Sequence, residues 1–268
     1  MQFGYTVSPL LCDGKVIVQV LQGFKTDAPS YLAAYDALPG TLQWRVERPT
    51  EAIRESRDSY ATPVVLRHEG KTQIVAVGGD CVTGSDVETG SEIWRAGGLN
   101  PRHSEKNRII VGPVAVDGMI YAPSSKKPIL AVRAGGVGDV TTSHVVWTWN
   151  NPHGPDVPTP ACDGTYFYML DDIGVITCLN AKTGEAIWGP EHTARGPVSA
   201  SPVLADGKLF ITNEETVTTV LAAGPEYRVI ATNTLSGEGR TLSSLAISGN
   251  QLFLRTSTHL YCIGKKSN

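Results

Sequence analysis

Six side chains have the type and placement to bind an anion. Arg57, Arg108 and Arg195 stand six, five and seven residues before Pro63, Pro113 and Pro202, and His103, His153 and His192 fall in the same charged segments. Guanidinium groups aimed at one point would take a carboxylate or phosphate through paired N–H donors. The plain alternative is a solvated loop rim, since connecting segments are polar on any fold. Other chemistry finds no footing. The sequence has no H-E-x-x-H, G-x-S-x-G, C-x-x-C or EF-hand spacing, the patterns that seat zinc, a serine nucleophile, a dithiol or calcium. Gly136-Val137-Gly138 looks like part of a dinucleotide loop. Strand-forming residues 141–146 follow it, however, so no helix N-terminus awaits a phosphate and a long β-hairpin turn is expected. No carboxylate can be singled out as a base, and no metal site is expected.

The elements that must position these residues repeat. Ser8-Pro9-Leu10-Leu11-Cys12-Asp13-Gly14-Lys15 returns as Ser201-Pro202-Val203-Leu204-Ala205-Asp206-Gly207-Lys208, with weaker copies at Pro63, Pro113, Pro160 and Leu245. The intervals between these anchors are 54, 50, 47, 42 and 43 residues. A period in the forties carried by short β-rich runs indicates a propeller or solenoid. The second half of the unit is a strand, an Asp/Asn-x-x-Thr/Pro-Gly turn and a strand ending in Trp, at Asp36–Trp44, Asp86–Trp94 and Asn180–Trp188. An Asp or Asn there bonds its own backbone two residues on, and Gly supplies the positive φ. Trp44, Trp94, Trp147 and Trp188 are read as wedges between neighbouring blades. The fifth unit has lost its Trp, and Ile230 is expected in its place.

The predicted fold is therefore all-β. It is a propeller of four-stranded antiparallel blades forming one domain over 1–268, with repeats at about 6–46, 60–95, 111–149, 158–188, 199–232 and 242–263. The last repeat lacks its outer strand. Residues 1–7 are too few to supply it and also lead into Ser8-Pro9, so upstream sequence carrying that strand and further blades, to make seven or eight, is expected. The tail 265–268 is expected to be solvated.

Composition narrows the partners. Hydrophobic residues at 41% and charged residues at 18% suit a folded core. A net charge of −3 with no basic stripe excludes nucleic acid, and no apolar run is long enough to span a bilayer. The N-terminus has no basic head and enters the first repeat at once, which suits either a cytoplasmic protein or a sequence begun downstream of its signal peptide. Cys12 and Cys162 each precede Asp-Gly, while Cys178 and Cys262 share another strand position. All five cysteines are read as small unpaired hydrophobes.

The Asp-x-x-Thr-Gly-x-x-x-Trp signature at Asp86–Trp94, repeated with Asn at Asn180–Trp188, resembles the pyrroloquinoline-quinone-type repeat. That repeat builds a propeller family shared by quinoprotein dehydrogenases and the outer-membrane assembly lipoprotein BamB. The runs Gly135–Thr141, His144–Trp147 and Leu252–Ile263 resemble a bacterial group of PQQ-binding-like propeller proteins. The resemblance implies an extracytoplasmic, non-catalytic binding module without cofactor, its loop-built face taking a protein or a small anionic ligand. In propellers the long segments Arg48–Tyr60, Ala96–Ile110, Asn150–Pro158 and Gly189–Val198 would gather around the channel mouth, aiming the three arginines into one funnel. The alternative it implies is an oxidoreductase using PQQ with calcium, but the adjacent cysteine pair typical of such enzymes is missing.

Overall fold

The computed structural model describes residues 3–264 apart from 236 and 238, and the chain divides into two compact units, Met1–Asp156 and Val157–Asn268. In the first unit, β1 (Leu10–Cys12), β2 (Lys15–Val20), β3 (Tyr31–Asp36) and β4 (Leu42–Glu47) form one antiparallel sheet in sequence order. A 3₁₀ turn at Arg54–Arg57 precedes β5 (Val64–His68), β6 (Lys71–Gly78), β7 (Cys81–Asp86) and β8 (Glu92–Ala96). The third sheet holds β9 (Val114–Val116), β10 (Met119–Pro123), β11 (Ile129–Arg133) and, after the short β12 (Gly138–Asp139), β13 (Val145–Trp149).

The expected long hairpin turn forms, since β11 and β13 pair antiparallel across residues 134–144, but it also makes a crossing. Strand β12 leaves its own sheet and pairs parallel with β8, Gly138 opposite Trp94 and Asp139 opposite Arg95, making a fifth strand there. It occupies ladder groups that β8 would otherwise leave open as a sheet edge.

The second unit repeats the plan with β14 (Ala161–Cys162), β15 (Tyr166–Leu170), β16 (Val175–Asn180) and β17 (Ala186–His192), then β18 (Val203–Ala205), β19 (Lys208–Thr212), β20 (Val217–Ala222) and β21 (Val229–Thr234). Its last sheet has three strands, β22 (Ala246–Ser248), β23 (Gln251–Arg255) and β24 (Leu260–Gly264). Among the described residues no strand pairs with the outer side of β24. Residues 265–268 lie outside the described residues.

The signature turns form as their residue types dictate. The Oδ1 of Asp86 accepts from Glu88 N (3.0 Å) and Thr89 N (2.8 Å), and that of Asn180 accepts from Lys182 N (2.9 Å) and Thr183 N (3.1 Å). Gly90 closes its turn at φ +74°, where the neighbouring sheet's Trp44 ring also leaves no space for a Cβ.

One register runs through five sheets. Each outer strand carries a bulge, so the side chain facing the third strand is the one after it: Ala34 faces Trp44, Gly84 faces Trp94, Ala131 faces Trp147, Cys178 faces Trp188 and Val220 faces Ala231. The bulge positions are Gln43, Ile93, Val146, Ile187 and Ile230. The equivalent of Trp in the fifth sheet is thus Ala231, and Ile230, 45% exposed, is the bulge residue. A one-residue bulge reverses which face a side chain takes, which composition alone does not reveal.

Trp44, Trp94 and Trp188 wedge between sheets within their units, whereas the ring contact of Trp147 is with its own sheet. Trp44 packs with Ile74, Ala76 and Val87 of the second sheet and donates to Val87 O (3.1 Å). Trp94, only 2% exposed, packs with Ile120, Leu130 and Val132 of the third sheet. Trp147 is buried against Tyr121, ring centroids 5.7 Å apart. Trp188 is half-buried rather than enclosed, held by Tyr168, Tyr227 and a bond to Gly224 O (3.0 Å), so it contributes less than Trp94. The cysteines are all free, with Cys12, Cys81 and Cys178 buried and Cys262 exposed. Cys178 and Cys262 share a register position, opposite Tyr168 and Phe253. Cys12 and Cys162 differ by one step, because Cys12 pairs with Lys15 across a two-residue turn and Cys162 with Phe167 across a longer one.

Candidate functional site

Antiparallel alternation sends the links between sheets and the hairpins between second and third strands to one end of each sheet. The Asp-x-x-Thr-Gly turns go to the other. In the first unit the loop end comprises the links 48–63 and 97–113 with the hairpins 21–30, 79–80 and 124–128.

These loops are tied together by buried polar groups. Asp58 is fully enclosed, its Oδ1 accepting from Gly23 N (3.0 Å) and Phe24 N (3.2 Å) and its Oδ2 from the Tyr60 hydroxyl (3.3 Å). Ser59 bridges Leu21 on one side and Ile109 on the other, so the two links run side by side. Asp80, in a left-handed backbone at φ +66°, accepts from the Ser56 hydroxyl, Asn100 Nδ2 (3.0 Å) and Asn107 Nδ2 (3.4 Å). Arg48, 4% exposed, donates to Thr83 Oγ1 (2.9 Å), Gly78 O (2.9 Å), Cys81 O (3.0 Å) and Cys81 Sγ (3.2 Å). Burying these groups is tolerable only because each finds partners.

The six candidate side chains divide among different places. Arg57 and Arg108 are carried on the adjacent links, but both are engaged: Arg57 Nε donates to Ala52 O (2.8 Å), and Arg108 pairs with Glu55 (3.3 Å) and lies over the Phe3 ring. His103 is exposed at the mouth of another cleft, of about 740 Å³, with Glu51, Asp80, Arg95 and Asp139. There Glu92 hydrogen-bonds Arg95 and holds its guanidinium charged, while bonds from Thr141 lower the Asp139 pKa. His153 is exposed on the third link. In the second unit Arg195 is exposed and its carbonyl accepts from Asn213 Nδ2 (2.6 Å). His192 ends β17 rather than standing in a link, because that strand runs on past Trp188 until His192 pairs with Val175.

The sequence reading passed over Asp58, Asp80 and Arg48. Only Asp80, in Gly78-Gly79-Asp80, carries a turn signal. Arg48 and Asp58 read as loop charges and give no sign of burial.

A quinone and calcium centre requires several convergent oxygens. Among the described residues no three His, Cys, Asp or Glu side chains gather where a cation could sit. The buried carboxylates are already engaged: Asp58 accepts from Gly23 N and Phe24 N, Asp171 from Ile173 N and Val175 N, and Glu214 from the Ser199 hydroxyl and Arg240. The residues present do not fit that group.

A family model described as outer membrane protein assembly factor BamB matches residues 4–188 and again 135–265. The BamB of Alkalilimnicola ehrlichii is 26% identical over 163 residues, which cover 56% of this chain and 40% of that protein. The chain thus spans about two fifths of that relative. Among solved structures, BamB from Moraxella catarrhalis superposes with a TM-score of 0.60 at 16% identity, covering 96% of this chain and 84% of that one. The computationally designed Ika8 protein gives 0.67 at 10% identity, over 97% and 70%. Quinohemoprotein alcohol dehydrogenase from Comamonas testosteroni gives 0.60 at 15% identity, over 87% and 43%. At such identities the structural likeness speaks for the fold alone, a β-propeller.

Proposed function

The chain belongs to the PQQ-type repeat propeller family of the outer membrane protein assembly factor BamB, and from that membership we propose that it is a non-catalytic binding module whose loop end engages a protein. One observation carries the reading. In the loop end of the first unit the buried Asp58 and Arg48 and the half-buried Asp80 are bound to backbone and neutral side chains, which fixes the loops. Clefts remain open between those loops. A rim held rigid by its own polar groups suits contact, since less ordering entropy is lost when a partner docks. The relative's name assigns it to outer-membrane protein assembly, and we carry that over as the proposed setting, outside the bacterial cytoplasm. No helix among the described residues is long and apolar enough to cross a membrane.

The competing activity is quinone-dependent oxidation with calcium. Mixing the purified protein with PQQ and calcium tests it: the binding-module reading expects the quinone spectrum unchanged and the quinone removed by dialysis. Stoichiometric retention, with dye reduction on adding an alcohol, would overturn that reading.

A further inference from the structure

Within the loop end of the first unit a second cleft, of about 460 Å³, differs in charge from its neighbour. Arg102, Lys126 and Lys127 line it together with Asn100, Ser104 and Asn150, and no carboxylate is among its lining residues. The 740 Å³ cleft, by contrast, mixes Glu51, Asp80 and Asp139 with Arg95 and His103. Three cations with no acid between them are unexpected on a chain of net charge −3.

The cations are also unspent. Arg102, Lys126 and Lys127 are exposed, and among the described residues none of them makes an ion pair, whereas Arg57 and Arg108 are engaged internally. Carboxylates on the same loops are already engaged: Glu105 by Arg54 (3.4 Å), and, behind the cleft's lining, Asp156 by the Ser125 hydroxyl (2.7 Å) and Asp80 by Ser56, Asn100 and Asn107.

The hairpin that carries the lysines is fixed. Lys126 N donates to Pro155 O (3.0 Å), Ser124 N to Pro128 O (3.0 Å) and Lys127 N to Ser125 O (2.9 Å). Gly154 lies so close to the Lys126 carbonyl that a Cβ there would overlap its oxygen. On the facing link, Asn100 accepts from Ser104 N (2.9 Å) and returns a bond to Ser104 O (2.9 Å), closing the loop that bears Arg102. Both walls therefore present their charges from ordered backbone.

We infer that this cleft, through Arg102, Lys126 and Lys127, takes the carboxylates of an extended acidic protein segment. The inference rests on the loop-end binding reading and names the chemistry of its partner. A guanidinium grips a carboxylate with two parallel N–H donors, and the lysines add point charges beside it. A segment with several carboxylates can use cations from two separate loops at once.

The test is fluorescence anisotropy of labelled hexaglutamate with the full chain at low salt. Binding is expected, with Kd rising at least tenfold in the triple variant R102Q/K126Q/K127Q and rising steeply with salt. A control of equal charge change, K15Q/R67Q/K71Q at the opposite end of the sheets, should leave Kd within twofold. Melting curves must show both variants folded. Absence of binding, an equal loss in the control, or displacement by millimolar inorganic phosphate as effective as by unlabelled hexaglutamate would each overturn the inference. If hexaglutamate fails to bind while a crosslinker at Glu51 still captures a protein, this inference falls and the loop-end reading stands. Loss of capture at both Glu51 and Pro101 strikes the reading itself.

Discussion

Replacing Gly84 with Ala should change sign according to what stands opposite it. An ideal Cβ on Gly84 would lie 2.1 Å from Trp94 Nε1 and 2.3 Å from Cε2, and that ring is pinned by its bond to Gln73 Oε1 (2.8 Å). A buried indole has no flexible end to swing aside, so the added methyl overpacks the core, at a cost of about 1–3 kcal/mol. Removing the indole instead loses a side chain burying about 200 Å², worth about 5 kcal/mol by area and about 3–5 kcal/mol by precedent for large-to-small changes. With Ala at 94 the clash is gone. Gly84→Ala should then stabilise by about 0.5–1 kcal/mol, because a strand glycine loses more backbone entropy on folding than alanine. The double-mutant cycle should therefore show a coupling of about 1.5–4 kcal/mol between the two positions. Denaturant unfolding of the four proteins, monitored by circular dichroism, measures it. Additive effects would refute the argument that the Trp ring fills the space above Gly84.

Asp58→Ala removes the acceptor of two part-buried backbone N–H groups and of the Tyr60 hydroxyl and should cost about 2–4 kcal/mol, whereas Asp27→Ala, on the neighbouring hairpin, should cost under about 0.5 kcal/mol; denaturant melts compare them. Burial pushes the Cys178 thiol up to about 12, so in the folded protein it keeps a proton that the unfolded chain releases near pH 8.5. Its contribution is whole below that pH and is lost as pH rises toward 12, so Cys178→Ala should flatten the alkaline fall in stability measured from pH 8.5 to 10.5. Cys262, exposed, should react with a thiol reagent in the native protein while Cys178 reacts only on unfolding. Amides of Leu260–Gly264, whose outer side pairs with no strand among the described residues, should exchange much faster than those of Val175–Asn180 at the same depth in a four-stranded sheet; equal protection would mean that another strand covers β24.

Much of the fold was legible because its signals are local. Ser-Pro starts and Asp-x-x-Thr-Gly turns mark strand boundaries through their own backbone chemistry, and a period of such turns implies repeated sheets. What was illegible depends on neighbours. Ile230 looked like a replacement for Trp, yet a bulge, set by pairing with β20, moves that place to Ala231. The hairpin turn at Gly136–Gly138 was legible, but nothing local says that Gly138 and Asp139 also lie along β8 of another sheet. At the loop end, spacing to the prolines brought forward Arg57 and Arg108, whose cationic groups are engaged by Ala52 on the same link and by Glu55 on the adjacent one. Lys126, Lys127 and Arg102 come from a hairpin and a link far apart in sequence, so only folding shows that they share a cleft.

The central claim is that the loop end engages a partner and the turn end does not. A photoreactive residue placed in turn at Glu51 and Pro101 on the loops, and at Leu38 and Thr89 on the turns, tests it in living cells. The account predicts a discrete protein adduct from Glu51 or Pro101 and none from Leu38 or Thr89. Adducts from the turn positions alone, or equally from both ends, would contradict it.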